Sequence, residues 1–215
     1  MFAALSYAVT QSGRSGGGVD KEQNVIRAAE IIEQASLIKN HIQRLYWLNE
    51  VDQVRFDNSV YNSSGTVYNL DGTSSTGETT GVFEPTEGIP IVLPSIETFD
   101  IVQIANQNNF AFGVMFNAQI QISGAELGTS LGDEVLFLAY VRKDICEQIN
   151  KGLTGSTTIP AIVLGGGMSR DFERRKRDGG LAVGNVLKDI WNIGLIPGCS
   201  VLGSEYFYFD DIRIN

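Results

Sequence analysis

Residues 19–48 read VDKEQNVIRAAEIIEQASLIKNHIQRLYWL, with apolar side chains recurring at Val25, Ala28, Ile32, Ala35, Ile38, Ile42 and Leu45. Steps of three and four residues gather these on one stripe of a helix, since a turn takes 3.6 residues. Lys21, Glu30, Lys39 and Gln43 fall on the opposite side and read as its wet face. Asp20 has the short acceptor side chain that suits a helix start, and Gln23 three residues on makes a partial capping box. One amphipathic helix is therefore expected over 19–50, with a stripe that another layer must cover.

On the N-terminal side, Gly16, Gly17 and Gly18 precede this helix. Three glycines in a row weaken a helix, so a hinge or melted stretch is expected there. Before them, residues 1–9 read MFAALSYAV, apolar but far short of the roughly 20 residues that cross a bilayer. The basic start of a signal peptide is missing from them. Phe2, Ala3, Ala4, Leu5 and Val9 read as the end of a longer apolar helix.

On the C-terminal side the period falls towards two. Residues 54–61 and 66–70 read as short strands about a turn at 62–65, and 71–81 (DGTSSTGETTG) as a solvated hairpin tip. Asp71 and Glu78 lack the alternating acidic ligands of a calcium loop. Pro85, Pro90 and Pro94 mark an extended connector. The best strand signal covers 110–122, where Phe110, Phe112, Val114, Phe116, Ala118, Ile120 and Ile122 alternate with smaller or polar residues. It is the expected partner of the helical stripe. Residues 134–141 (EVLFLAYV) are apolar on both sides and read as a central strand. Residues 144–153 read as a short helix capped by Asp144, with Glu147 completing the box. Residues 159–164 suggest a strand, 183–193 either a short helix or an extended flank, and 205–214 a closing aromatic strand. The division expected is 1–18 for the apolar end and hinge, 19–50 for the helix, and 51–215 for a β-rich domain.

Composition narrows the chemistry. With 43% hydrophobic residues over 215 the chain can bury a core. Its net charge of −9 repels phosphate backbones and argues against nucleic acid as a partner. A single histidine, His41, rules out a two-histidine relay, and it sits beside Ile38 and Ile42 as a flank of the stripe. Cys146 and Cys199 are too far apart for a CxxC metal pair, leaving either one disulfide or two buried thiols. Gly165, Gly166 and Gly167 are followed by Met168 and Ser169, without the lysine a phosphate loop needs. Asp210 and Asp211 are neighbours on an expected strand, so their carboxylates should point to opposite faces. No nucleophile with a base is present in a G-x-S-x-G setting, and the reading has no catalytic residue, cofactor or metal. Arg174, Arg175, Lys176 and Arg177 form the one basic cluster, which suits a solvated loop or a contact with anionic lipid, nucleic acid or an acidic neighbouring subunit, the last being the fit for a chain of net charge −9.

The N-terminal residues carry a resemblance. FAALSYAVTQSGRSGGG at 2–18, followed by Asp20, Lys21, Glu22 and Gln23, is similar to the start of bacterial pilin-like proteins of the prepilin and pseudopilin type. Cys146-Glu147-Gln148-Ile149-Asn150 resembles that group's C-x-x-I-N helix start, and Gly198-Cys199 with the terminal aromatic strand resembles its closing segment. The likeness is close over about the first 45 residues and patchy beyond them. The resemblance implies an α+β, pilin-like fold, in which a long N-terminal amphipathic helix packs on an antiparallel sheet. It also implies a disulfide between Cys146 and Cys199 and an oxidising compartment.

Two functions compete. In the first, the chain is a structural subunit of a type IV pilus or a type II secretion-like filament. Its partners are then other copies or related pilin-like subunits. It sits in the inner membrane and periplasm before assembly and in an extracellular filament afterwards. That reading expects about 10–20 further apolar residues and a short basic leader ahead of Phe2. In the second, the chain is a soluble β-rich binding domain, such as an adhesin or a virion surface protein, with a concave aromatic site.

Overall fold

The computed structural model describes residues 18–48, 82, 95–100, 113–122, 125–126, 133–164, 180–182, 190–192 and 196–213. Helix α1 spans Gly18–Leu48 and a 3-10 turn spans Ile96–Thr98. Strands β1 (Gly113–Ile122), β2 (Ala125–Glu126) and β3 (Asp133–Leu138) follow, and then helix α2 (Lys143–Thr154). Strands β4 (Val163–Leu164), β5 (Gly180–Ala182), β6 (Ile190–Asn192), β7 (Gly198–Leu202) and β8 (Glu205–Arg213) complete the chain. The fold is α+β. The expected strands at 54–61 and 66–70, the tip at 71–81 and the three connector prolines lie outside the described residues, as do Gly165, Gly166 and Gly167.

The sheet centres on three antiparallel strands in the order β3-β8-β7, with β1 antiparallel on the other edge of β3. Short β5 and β6 add to β1 in parallel, so 190–192 is extended and not helical. The long strand starts at Gly113 among the described residues, and an extra β1 residue between Met115 and Ala118 interrupts the strict two-residue period. The central position expected for 134–141 holds, since β3 lies between β1 and β8. Residues 135–141 are all buried, and so are Phe207, Tyr208 and Phe209. Successive strand residues face opposite ways, so the sheet is covered on both sides at β3 and β8. Strand β3 stops at Leu138 because Tyr140, two residues on, takes the left-handed conformation (φ 60°).

Sequence reasoning missed the hairpin joining β7 to β8. Leu202 pairs with Glu205 across Gly203 and Ser204, and Gly203 has φ 60°. A two-residue loop needs that conformation at its first position, which glycine adopts at no steric cost.

The helix at 19–50 is present as α1, with two corrections. It starts at Gly18, so Asp20 lies inside the first turn and does not cap it. Its buried stripe is Asn24, Ala28, Ile31, Ala35, Ile38, Ile42 and Leu45. Ile31 takes the place expected of Ile32, and Val25 is 37% exposed. The observed stripe alternates steps of four and three without a break, whereas a stripe through Val25 and Ile32 drifts around the helix. The main partners of α1 are α2 and β8, not the strand at 110–122, and α2 packs in turn on β7 and β8.

Candidate functional site

The residues that tie α1, α2 and the terminal hairpin together form three clusters. The first lies on one face of α2. Cys146 and Asn150 stand four residues apart, hence one above the other, and both are fully buried. Cys146 is disulfide-bonded to Cys199 of β7 across a Cα–Cα distance of 5.4 Å, so the pairing implied by the resemblance is present. Asn150 grips the same residue by its backbone. The Cys199 N–H donates to Asn150 Oδ1 at 2.7 Å, and Asn150 Nδ2 donates to the Cys199 carbonyl at 2.9 Å. Nδ2 also donates to the Thr158 carbonyl at 2.8 Å, pinning the segment after α2.

The second cluster joins α1 to β8. Lys39, expected on the wet face, turns its ammonium inward, 3.2 Å from Asp210 Oδ1 and 3.0 Å from Asp211 Oδ1. Tyr208 donates its hydroxyl to Asp210 Oδ2 at 3.2 Å. Burial opposes the Lys39 charge, but the hydrogen bond it donates to Asp211 and the attraction of both carboxylates outweigh it and hold the pKa above the usual lysine value. Burial raises the Asp210 carboxyl, offset in part by Lys39 and reinforced by its neighbour Asp211. Burial, with Asp210 beside it, pushes the Tyr208 phenol up too, so it stays protonated and donates. The two aspartates, expected to be separated by their strand, thus share one lysine.

The third cluster surrounds the start of both helices. Asn24 Nδ2 donates to Asp144 Oδ2 at 2.8 Å, the Arg142 guanidinium pairs with Asp144, and Arg27 pairs with Glu97. Helix α2 begins at Lys143 with Arg142 at its cap position and no side-chain cap bond. Asp144 is therefore an inner residue that accepts from the Ile145 N–H at 3.1 Å, and Glu147 meets Lys143 at 3.8 Å and closes no capping box. An open cleft of about 680 Å³ lies among these residues, lined also by Asp20, Phe99, Asp100 and Lys143. Arg27, Arg142 and Asp144 in its wall already have partners.

Two buried polar atoms on α1, Gln34 Oε1 and His41 Nε2, have no hydrogen-bond partner among the described residues. Burial, with the Arg44 charge nearby, lowers the His41 pKa and favours the neutral ring.

The other residues expected to function are placed as follows. Gly18 is the first residue of α1, and Gly16 and Gly17 lie outside the described residues, as do Phe2, Ala3, Ala4, Leu5 and Val9. The basic cluster Arg174, Arg175, Lys176 and Arg177 also lies outside them. Among the described residues no group of three His, Cys, Asp or Glu side chains could hold a metal, and no helix is long and apolar enough to cross a membrane. The Asn150 clamp and the Lys39 fork were both missed from sequence. An asparagine one turn after a cysteine was the available signal for the clamp, while nothing local relates Lys39 to residues 171 and 172 positions away.

No protein-family model, curated protein or solved structure matches this chain.

Proposed function

We propose that the chain is a structural subunit of a type IV pilus or type II secretion-like filament, with a pilin-like arrangement of a long helix on an antiparallel sheet. The observation that carries this reading is the pilin-like segment at 2–18, which leads in sequence straight into α1. Apolar residues 2–9 would bundle with those of neighbouring copies, driven by burial worth roughly 25 cal/mol per Å². A helix used in that way must be firmly joined to its domain, and two features support this. The buried α1 stripe packs on α2 and β8, and the Lys39 fork adds a charged tie at 3.0 and 3.2 Å. The Cys146–Cys199 bond, fitting an oxidising compartment, fastens the hairpin to α2. The basic cluster at 174–177 suits contact with an acidic neighbour in a chain of net charge −9.

The alternative of a soluble β-rich binding domain calls for a concave aromatic site. The cleft beside α1 and α2 lends it little support, since Phe99 is the one aromatic residue in a mostly charged wall.

The test is to express the whole native open reading frame in its own host, shear the cells, and sediment the medium. The protein should pellet with filaments and be found in the membrane fraction when assembly is blocked. Recovery only as a soluble monomer would overturn the reading.

A further inference from the structure

We propose that Asn150 is a positioning residue for the disulfide, holding Cys199 in bonding register with Cys146 whether or not the sulfurs are joined. Its carboxamide makes the two hydrogen bonds that a neighbouring β-strand would make, accepting from the Cys199 N–H at 2.7 Å and donating to its carbonyl at 2.9 Å. Strand β7 is paired with β8 on one edge, and on the other the Val201 backbone bonds to Pro160 and Ile162. At Cys199 the Asn150 side chain supplies the missing strand.

Both contacts are made to the Cys199 backbone and neither involves sulfur, so nothing in them requires the oxidised state. Asn150, Cys146 and Cys199 are all 0% exposed. Undocking Cys199 from α2 would therefore leave the Cys199 N–H and carbonyl, Asn150 Oδ1 and one N–H of Asn150 Nδ2 buried without partners, or drag them into water. The clamp thus confines Cys199 close to Cys146, and confinement of two thiols appears directly as a high effective concentration.

Oxidation can be written with glutathione disulfide as the oxidant. One cysteine thiolate attacks it and releases a first glutathione thiolate, forming a mixed disulfide. The second cysteine thiolate then attacks the protein sulfur and releases the other glutathione. Two protein thiols lose two electrons and two protons, and two glutathione thiols carry them away.

The experiment equilibrates the full chain in glutathione redox buffers and traps free thiols by alkylation. Asn150→Ala should lower the effective concentration of the cysteine pair at least about tenfold, as expected for loss of charge-neutral buried hydrogen bonds. Ile31→Ala, which loosens the buried α1 stripe without removing either hydrogen bond between Asn150 and Cys199, should leave it within about twofold of the wild type. Equal values for the wild type and Asn150→Ala would overturn the proposal. Should Asn150→Ala fail to fold, amide hydrogen exchange in the Cys146→Ala/Cys199→Ala protein decides the matter. With Asn150 intact, the residue 199 amide should remain protected at least a hundredfold over an open peptide. Exchange at the open-peptide rate would contradict the clamp.

Discussion

Lys39 Nζ lies 3.0 Å from Asp211 Oδ1 while also standing 3.2 Å from the adjacent Asp210 Oδ1. Consecutive residues of a regular strand face opposite ways, and one ammonium should not reach both. Strand β8 is irregular at this point. Val135 pairs with Asp211 but Glu134 pairs with Arg213, so one extra residue of β8 is accommodated beside Asp211. Such a bulge twists the strand, and the flexible lysine stem reaches the pair from α1.

This fork makes Lys39 the charge that compensates a buried carboxylate. Lys39→Met should cost about 2 kcal/mol in urea unfolding at pH 7, less than a fully buried pair because the lysine is partly exposed. The deficit should narrow as pH falls. An acid whose folded pKa is raised binds its proton more tightly when folded, so stability is gained as pH drops from the raised folded value of Asp210 towards its ordinary 3.8. Conversely, the wild-type contribution of Lys39 is complete below 10.5 and is lost as pH rises through its raised folded value.

Ile31 and Ile32 offer a paired test of the helix register. Ile31 is 1% exposed, so Ile31→Ala should cost about 2–5 kcal/mol, the usual range for a buried aliphatic truncation. Ile32 is only half-buried, and Ile32→Ala should cost less than half as much. Equal losses in chemical denaturation would mean the stripe is misassigned.

His41 predicts a pH dependence of the opposite sense to that of Asp210. A base whose folded pKa is lowered takes up its proton more readily when unfolded. Stability should be complete above the ordinary 6.5 and fall as pH drops from there towards the lowered folded value. His41→Gln should flatten the slope of the unfolding midpoint between pH 7.5 and 5.5. Because His41 is the one histidine of the chain, a slope that survives this change must come from carboxylates or the α-amino group.

Much of the fold was legible where a single period dominates. The long helix follows from its 3.6-residue repeat, and the strands read at 134–141 and 205–214 from their apolar and aromatic runs; they are present as α1, β3 and β8, with β3 ending early at Leu138. Choosing Ile32 over Ile31 failed because α1 carries apolar residues on more than one face, with Val19 63% and Ile26 53% exposed. Its partner was misjudged because the aromatic alternation of 110–122 was the strongest strand signal, whereas the helix meets α2 and β8. Strand β7 was missed because five residues, GCSVL, show no alternation, and its pairing depends on the Gly203 turn. The Lys39 fork was illegible, since it is a long-range contact made at a bulge.

Cryo-electron microscopy of filaments sheared from the native host tests the central claim most directly. Residues 2–9 of successive copies should pack together along the filament axis, continuing into α1, with the β3-β8-β7 sheet towards the outside. A filament built on contacts between sheets with residues 2–9 in solvent, or this protein absent from every filament its host makes, would contradict it.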